Sequence, residues 1–129
     1  MAINRFLNVV PRLPVADLDR TITFYTELLG FDCGALWPEQ SPSFAILDPD
    51  RINIQFELAE PGVTIGDATL SFDVEDALVL REQMAGRVQI EWGPEVYWYG
   101  RREFAIRDPD GYLLIISEET GDAPTRAES

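Results

Sequence analysis

The chain contains no histidine among its 129 residues. Histidine has the unperturbed pKa closest to neutrality, and it is the commonest general base and the commonest ligand of transition metals. Serine nucleophiles, and most cysteine ones, are activated by such a base. The absence excludes histidine-based triads and histidine metal sites, and it favours a function that needs neither.

Cysteine and long apolar runs are also scarce. Cys33 is the single cysteine, so an intrachain disulfide is excluded and a reducing, cytoplasmic setting is expected. No apolar run reaches the roughly 20 residues that a membrane-spanning helix needs. No basic-then-apolar leader begins the chain. These features predict a soluble cytoplasmic protein.

Basic residues are few, since 10 Lys and Arg stand against 23 Asp and Glu, which gives a formal net charge of −13. Such a surface repels nucleic acid and anionic lipid and attracts cationic ligands, although simple solubility also accounts for it. The phosphate-loop, dinucleotide, CxxC and GxSxG motifs are absent. We therefore expect neither a nucleic-acid nor a membrane partner.

The strongest local signal is a hairpin near the C-terminus. Residues 101–107 (RREFAIR) and 112–116 (YLLII) are typical of strands, and DPDG (108–111) between them is typical of a tight turn. A loop is predicted just before it, over residues 93–100, and it carries Tyr97, Trp98 and Tyr99.

The sequence also indicates an internal duplication. Asp48 of a first DPD tripeptide lies 60 residues before Asp108, and Val15, which precedes a helical pattern, lies 59 residues before Val74. Two landmarks at nearly one spacing, in the same order, favour two copies of one unit.

Each half is predicted to contain, in order, one strand, one helix and three further strands. In the first half the predicted strands are 5–12, 31–37, 43–47 and 52–58, with a helix from Asp17 to Gly30. In the second they are 69–74, 87–92, 101–107 and 112–116, with a helix from Asp76 to Gly86. Residues 59–67 form the linker, and 120–129 are predicted to be a flexible tail.

The sequence resembles the vicinal oxygen chelate superfamily of glyoxalase I, extradiol dioxygenases and bleomycin-resistance proteins. The motifs that carry the resemblance are LPVADLDRTITFY (13–25), LLGF (28–31) and DPDGY (108–112). The resemblance implies an α+β fold in which two tandem βαβββ modules, about 5–58 and 68–118, form half-open β-barrels with helices outside. Both modules would belong to one domain, 1–119.

Enzymes of that superfamily hold a divalent metal at four fixed strand positions. By resemblance these positions are Val10, Gln55, Thr69 and Ile115 here. Two are aliphatic and one is a poor ligand, whereas such metals need several strong donors converging on one point. The nearest acids are Glu57 and Asp73. The resemblance therefore implies no metal, no cofactor and no catalytic residue.

The sequence resembles the metal-free bleomycin-resistance branch more than the metal-dependent enzymes of the superfamily. VPRL (10–13) and YGRREFAIRDP (99–109) are similar to that branch, whose members sequester a cationic, flat-ringed antibiotic in clefts of a homodimer. We expect the same of this chain. Aromatic side chains can stack on planar ligands, and the predicted ligand-binding residues are Trp37, Gln55, Phe56, Thr69, Phe72, Trp98 and Tyr99.

Three alternatives remain open at the sequence level. One is a glyoxalase- or dioxygenase-type enzyme with an atypical metal site. The others are a divergent member that binds another metabolite and one whose concave face binds a protein partner.

The sequence does not decide on which face of their strands Phe44, Phe56, Phe72 and Phe104 lie, because a shift of one residue moves a strand's side chains to the opposite face.

Overall fold

The computed structural model describes residues 4–48 and 52–126. The N-terminal module consists of β1 (Arg12–Val15), α1 (Leu18–Thr23) continued by a π-helical segment (Phe24–Leu28), β2 (Cys33–Trp37), β3 (Phe44–Leu47) and β4 (Ile54–Leu58). The C-terminal module repeats this order as β5 (Thr69–Asp73), α2 (Ala77–Gln83), β6 (Trp92–Tyr97), β7 (Arg101–Arg107) and β8 (Leu113–Glu119).

The two sheets share one topology. Their strand orders are β1-β4-β3-β2 and β5-β8-β7-β6, and in each the first strand pairs parallel with the last while the other pairs are antiparallel. The helix of each module packs on one face of its sheet. The predicted α+β class and the duplication are thus confirmed, with curled sheets in place of closed barrels.

Local sequence signals determine where the helices begin. The Asp17 carboxylate accepts a hydrogen bond from the Arg20 amide at 3.1 Å, and Asp76 accepts one from Val79 at the same distance. Each bond satisfies one of the amides that a helix leaves unpaired at its start. Both predicted N-caps are confirmed.

Alternation along the strands gives each sheet a core face and an open face. In β4, Ile54 and Phe56 are buried, whereas Gln55 and Glu57, which alternate with them, are partly exposed. Because successive side chains of a strand point to opposite faces, Gln55 and Glu57 lie on the open face. In β7, residues 103–106 are all buried, and the register pairs Phe104 with the buried Ile116 of β8, which places Phe104 on the core face.

The prediction of a first strand over residues 5–12 is wrong. Only Arg12 belongs to β1, which continues through Pro14 to Val15. The strand tolerates proline because it lies at a sheet edge and pairs with β4 alone. Of the residues before it, Pro11 still accepts a hydrogen bond from the Gln55 amide of β4 at 3.0 Å, whereas the Phe6 side chain is 99% exposed.

The prediction of a strand over 87–92 and a loop over 93–100 is also wrong. The strand is β6 (Trp92–Tyr97), and only the turn Trp98-Tyr99-Gly100 separates it from β7. Gly93 explains the error, because it breaks the strand pattern in sequence but forms a register shift in the sheet. Its φ is 77°, and a Cβ there would lie 2.3 Å from the Glu103 carbonyl oxygen.

The DPDG turn (108–111) joins the two modules. The buried Tyr25 hydroxyl donates to Asp108 at 2.7 Å, and Asp110 accepts from the Ala16 amide at 3.0 Å and pairs with Arg20 at 3.1 Å. Burial raises the pKa of Asp108, and hydrogen bonds from the Tyr25 hydroxyl and from the Tyr112 and Asp110 amides partly offset the effect. In the first DPD tripeptide, residues 49 and 50 lie outside the described ranges.

Candidate functional site

The open face of the C-terminal sheet carries a row of aromatic side chains, which we call the aromatic row: Trp92, Tyr97, Trp98 and Tyr99. The Tyr97 and Tyr99 rings stack with centroids 5.7 Å apart and planes 8° from parallel. Trp92 and Trp98 pack edge-on against them, at 5.9 and 5.3 Å. Trp98 is 56% exposed and Tyr99 is 47% exposed. Large rings held in position but open to solvent can stack on a planar ligand.

A chain of hydrogen bonds holds Tyr99 in place. Its hydroxyl donates to Glu103, and the Ser117 hydroxyl donates to the other oxygen of that carboxylate at 2.6 Å. Arg101 donates to the Ser117 oxygen at 2.5 Å and forms an ion pair with Asp73. Burial, followed by the bond to Glu103, raises the pKa of Tyr99 to about 12. The phenol therefore remains a donor at neutral pH.

Two carboxylates lie side by side on this face. Glu95 of β6 and Glu103 of β7 are direct cross-strand partners. Like charges at such positions destabilise a sheet, and a cation placed between them would relieve that cost. Glu95 also accepts a hydrogen bond from the Thr125 hydroxyl at 2.7 Å. Glu103 is 8% exposed and both of its oxygens accept hydrogen bonds, so Glu95 is the more accessible of the two carboxylates. The face thus combines ring surfaces with negative charge.

The open face of the N-terminal sheet is different. Trp37, which is 68% exposed, pairs across the strands with Phe44. The Arg12 guanidinium lies 5.0 Å from the Phe44 ring centroid and donates to Gln55 at 3.0 Å. This face already contains its own cation over an aromatic ring, so it suits a positively charged ligand less well.

The predicted site residues fall into two groups. Trp37, Gln55 and Thr69 lie on open faces, and Trp98 and Tyr99 lie side by side in the aromatic row. The other two pack on the core face. Phe56 is fully buried with its ring 4.9 Å from that of Tyr25, and Phe72 packs against Phe31 at 5.8 Å.

Sequence reasoning missed three contributors to this face. The sequence pattern places Trp92 in a predicted strand over 87–92 and Glu95 in a predicted loop over 93–100, and it gives Glu103 no role in ligand binding. Alternation along β7 is the signal that points to Glu103, since Arg101, Glu103 and Ala105 are spaced two positions apart and share one face.

The four positions that hold a metal in enzymes of this fold do not form a metal site here. Val10 lies outside any strand, and Gln55 is bonded to Arg12. Among residues 4–48 and 52–126, no group of three or more His, Cys, Asp or Glu side chains could hold a metal ion. A divalent transition metal requires such a set, so these residues do not fit one.

A cleft of about 810 Å³ lies between the two modules. Its lining includes the apolar residues Phe31, Phe72 and Leu80 and the acidic residues Asp73 and Glu75. Of the candidate site residues, only Phe72 lines it, and the aromatic row does not.

Within the described chain, no helix is long and apolar enough to span a bilayer.

Three curated relatives show what the chain is similar to. A virulence protein of Salmonella typhimurium is 33% identical over 92% of this chain and 86% of its own length. A lactoylglutathione lyase of Arabidopsis thaliana is 37% identical over 87% of this chain, but the match covers only 43% of the lyase. A bleomycin resistance protein of Geobacillus stearothermophilus is 25% identical over 88% of this chain and 97% of its own length.

Comparison with solved structures also shows the similarity to the Salmonella protein. The crystal structure of the Salmonella virulence protein superposes with a TM-score of 0.70 over 93% of this chain and 100% of that one, at 26% identity. The family model described as the Glyoxalase/Bleomycin resistance protein/Dioxygenase superfamily matches residues 2–116. The chain therefore belongs to the Glyoxalase/Bleomycin resistance protein/Dioxygenase superfamily.

Proposed function

We propose that the protein is a metal-free binding protein that sequesters a cationic, aromatic small molecule of the bleomycin class, and so confers resistance by binding. The observation that carries this proposal is the aromatic row beside Glu95 and Glu103 on one open face. The similarity to a bleomycin resistance protein supports it. We assign the activity to the cytoplasm, which agrees with the lone, exposed Cys33.

Ring stacking and charge both favour such a ligand. A cation over an exposed tyrosine or tryptophan face gains about 0.5–1 kcal/mol, and about 2 kcal/mol or more when water is excluded. The two carboxylates add local attraction, and the net charge of −13 raises the rate of encounter with cations. No protein metal ligand is needed for either contribution.

Binding to metal-free bleomycin tests the proposal. Calorimetry in the presence of EDTA is expected to give a dissociation constant in the micromolar range or tighter. The variants Glu95→Gln and Glu103→Gln should each weaken binding roughly tenfold, because each removes a charge beside the rings. Glu82→Gln is the matched control, since Glu82 is an exposed residue on α2 and its loss changes the net charge equally. Silence up to millimolar drug, or equal losses in all three variants, rejects the proposal.

A metal-dependent lyase is the second candidate, because of the 37% identity to the Arabidopsis enzyme. The four donor positions argue against it. Metal analysis of the purified protein separates the two functions, since stoichiometric zinc, nickel, manganese or iron would favour the lyase. A thermal-shift screen of metabolites covers the remaining case of another small ligand.

A further inference from the structure

The C-terminal segment of residues 121–126, which we call the C-terminal strap, pairs with the edge of β6. The amide of Thr125 donates to the Val96 carbonyl at 2.8 Å, and the amide of Arg126 donates to the same oxygen at 3.1 Å. In return, the Val96 amide donates to the Thr125 hydroxyl oxygen at 2.7 Å. Because β6 is the last strand of its sheet, the strap covers an edge that would otherwise be open.

The start of the strap is fixed as well. Asp122 forms an ion pair with Arg102, which also pairs with Glu118 at 3.6 Å. The Thr120 amide donates to the Gly100 carbonyl at 3.0 Å. The strap is therefore held at the hairpin turn that carries the exposed rings and again at the middle of β6.

Thr125 links the strap to the candidate site. Its hydroxyl has one proton, and the Glu95 carboxylate at 2.7 Å is a closer acceptor than the Val96 carbonyl at 3.4 Å. The hydroxyl thus accepts from the β6 backbone and donates to Glu95. A glutamate held in this way loses little further side-chain entropy when it binds a cation.

We propose that the C-terminal strap is part of the ligand site, in which Thr125 is a positioning residue that holds the Glu95 carboxylate toward the positively charged group of the ligand. The inference rests on the proposed function, and it adds a residue outside both sheets to the site.

A set of variants measures this role with metal-free bleomycin as the probe. Thr125→Val is expected to weaken binding roughly fivefold to tenfold, the upper value corresponding to about 1.4 kcal/mol. Thr125→Ser keeps the hydroxyl and should restore wild-type affinity. Combining Thr125→Val with Glu95→Gln should cost little more than Glu95→Gln alone, because the threonine acts through that carboxylate. Thr64→Val, in the exposed linker, is the matched control and should bind as the wild type does.

Hydrogen exchange of the Val96 amide gives a second readout that needs no ligand. Protection at this amide should fall in Thr125→Val and persist in Thr125→Ser. Unchanged affinity in Thr125→Val while the wild type binds overturns the inference and leaves the proposed function standing. Full additivity in the double variant also overturns it. Absence of binding by the wild type rejects the proposed function itself.

Discussion

Tyr99 is the residue on which the geometry of the aromatic row depends. Its hydroxyl donates to Glu103 while its ring stacks on Tyr97, so one side chain links the polar chain to the rings. A hydrogen bond to a charged group contributes about 1.5–3 kcal/mol, and less where solvent competes. The hydrogen bond to Glu103 therefore orients the Tyr99 ring, and stacking on Tyr99 orients the Tyr97 ring.

We predict that Tyr99→Phe lowers the free energy of unfolding by about 1–2 kcal/mol, because Glu103 loses one of its donors. Chemical denaturation measures the change. Tyr97→Phe is the matched control, since no hydrogen bond of the Tyr97 hydroxyl is found in the described chain, and it should cost less than about 0.5 kcal/mol. Equal losses would contradict the assigned role of the Tyr99–Glu103 bond.

The raised pKa of Tyr99 predicts a dependence of stability on pH. The pKa of Tyr99 in the folded protein is about 12, against 10.0 for an ordinary tyrosine, so folding favours the protonated phenol. This contribution is fully present below pH 10 and is lost as the pH rises toward 12. The wild-type protein should therefore lose more stability over that interval than Tyr99→Phe does, as measured by denaturation at each pH. Parallel curves would refute this.

At the scale of elements, the sequence predicts what is local and misses what is distant. Asp17 and Asp76 cap helices within one turn of chain, so sequence alone locates both helix starts. The limits of β6 depend on Gly93 packing against the backbone at Glu103, which no local pattern encodes. The faces of Phe56 and Phe72 were undecidable for a similar reason, because one residue of register exchanges core and open face.

Gly93 allows a direct test of this element. We predict that Gly93→Ala lowers the free energy of unfolding by more than about 3 kcal/mol, because the new Cβ would meet backbone at 2.3 Å. Gly62→Ala shares the positive φ, at 86°, but has nothing within 4 Å of its Cβ position, and it should cost about 1 kcal/mol. Thermal or chemical unfolding compares the pair. Similar losses would show that conformation alone matters at Gly93.

At the scale of the whole molecule, the chain leaves apolar side chains without cover. Phe6, Leu7 and Val9 precede β1 and are almost fully exposed. Exposed apolar segments of this kind mark surfaces that bind a partner. We propose that a second copy of the chain is this partner and that it covers the exposed segment, as expected from the resemblance to the homodimeric bleomycin-resistance branch.

We predict that the protein sediments at about twice its chain mass of 14.6 kDa. Replacing Leu7 and Val9 by aspartate should shift it to the monomer, because two charges would have to enter the interface. Analytical ultracentrifugation measures both. A monomeric wild-type protein, or a dimer that the double substitution does not weaken, would contradict the proposed homodimer.

We propose that the open face of the C-terminal sheet binds a cationic, flat-ringed molecule without a metal. Nuclear magnetic resonance of the three tryptophan indole groups, during titration with metal-free bleomycin in EDTA, tests it most directly. We predict that the Trp92 and Trp98 signals shift and reach saturation. Binding of the drug with both signals unchanged, or shifts that require added metal, would contradict metal-free binding at this face.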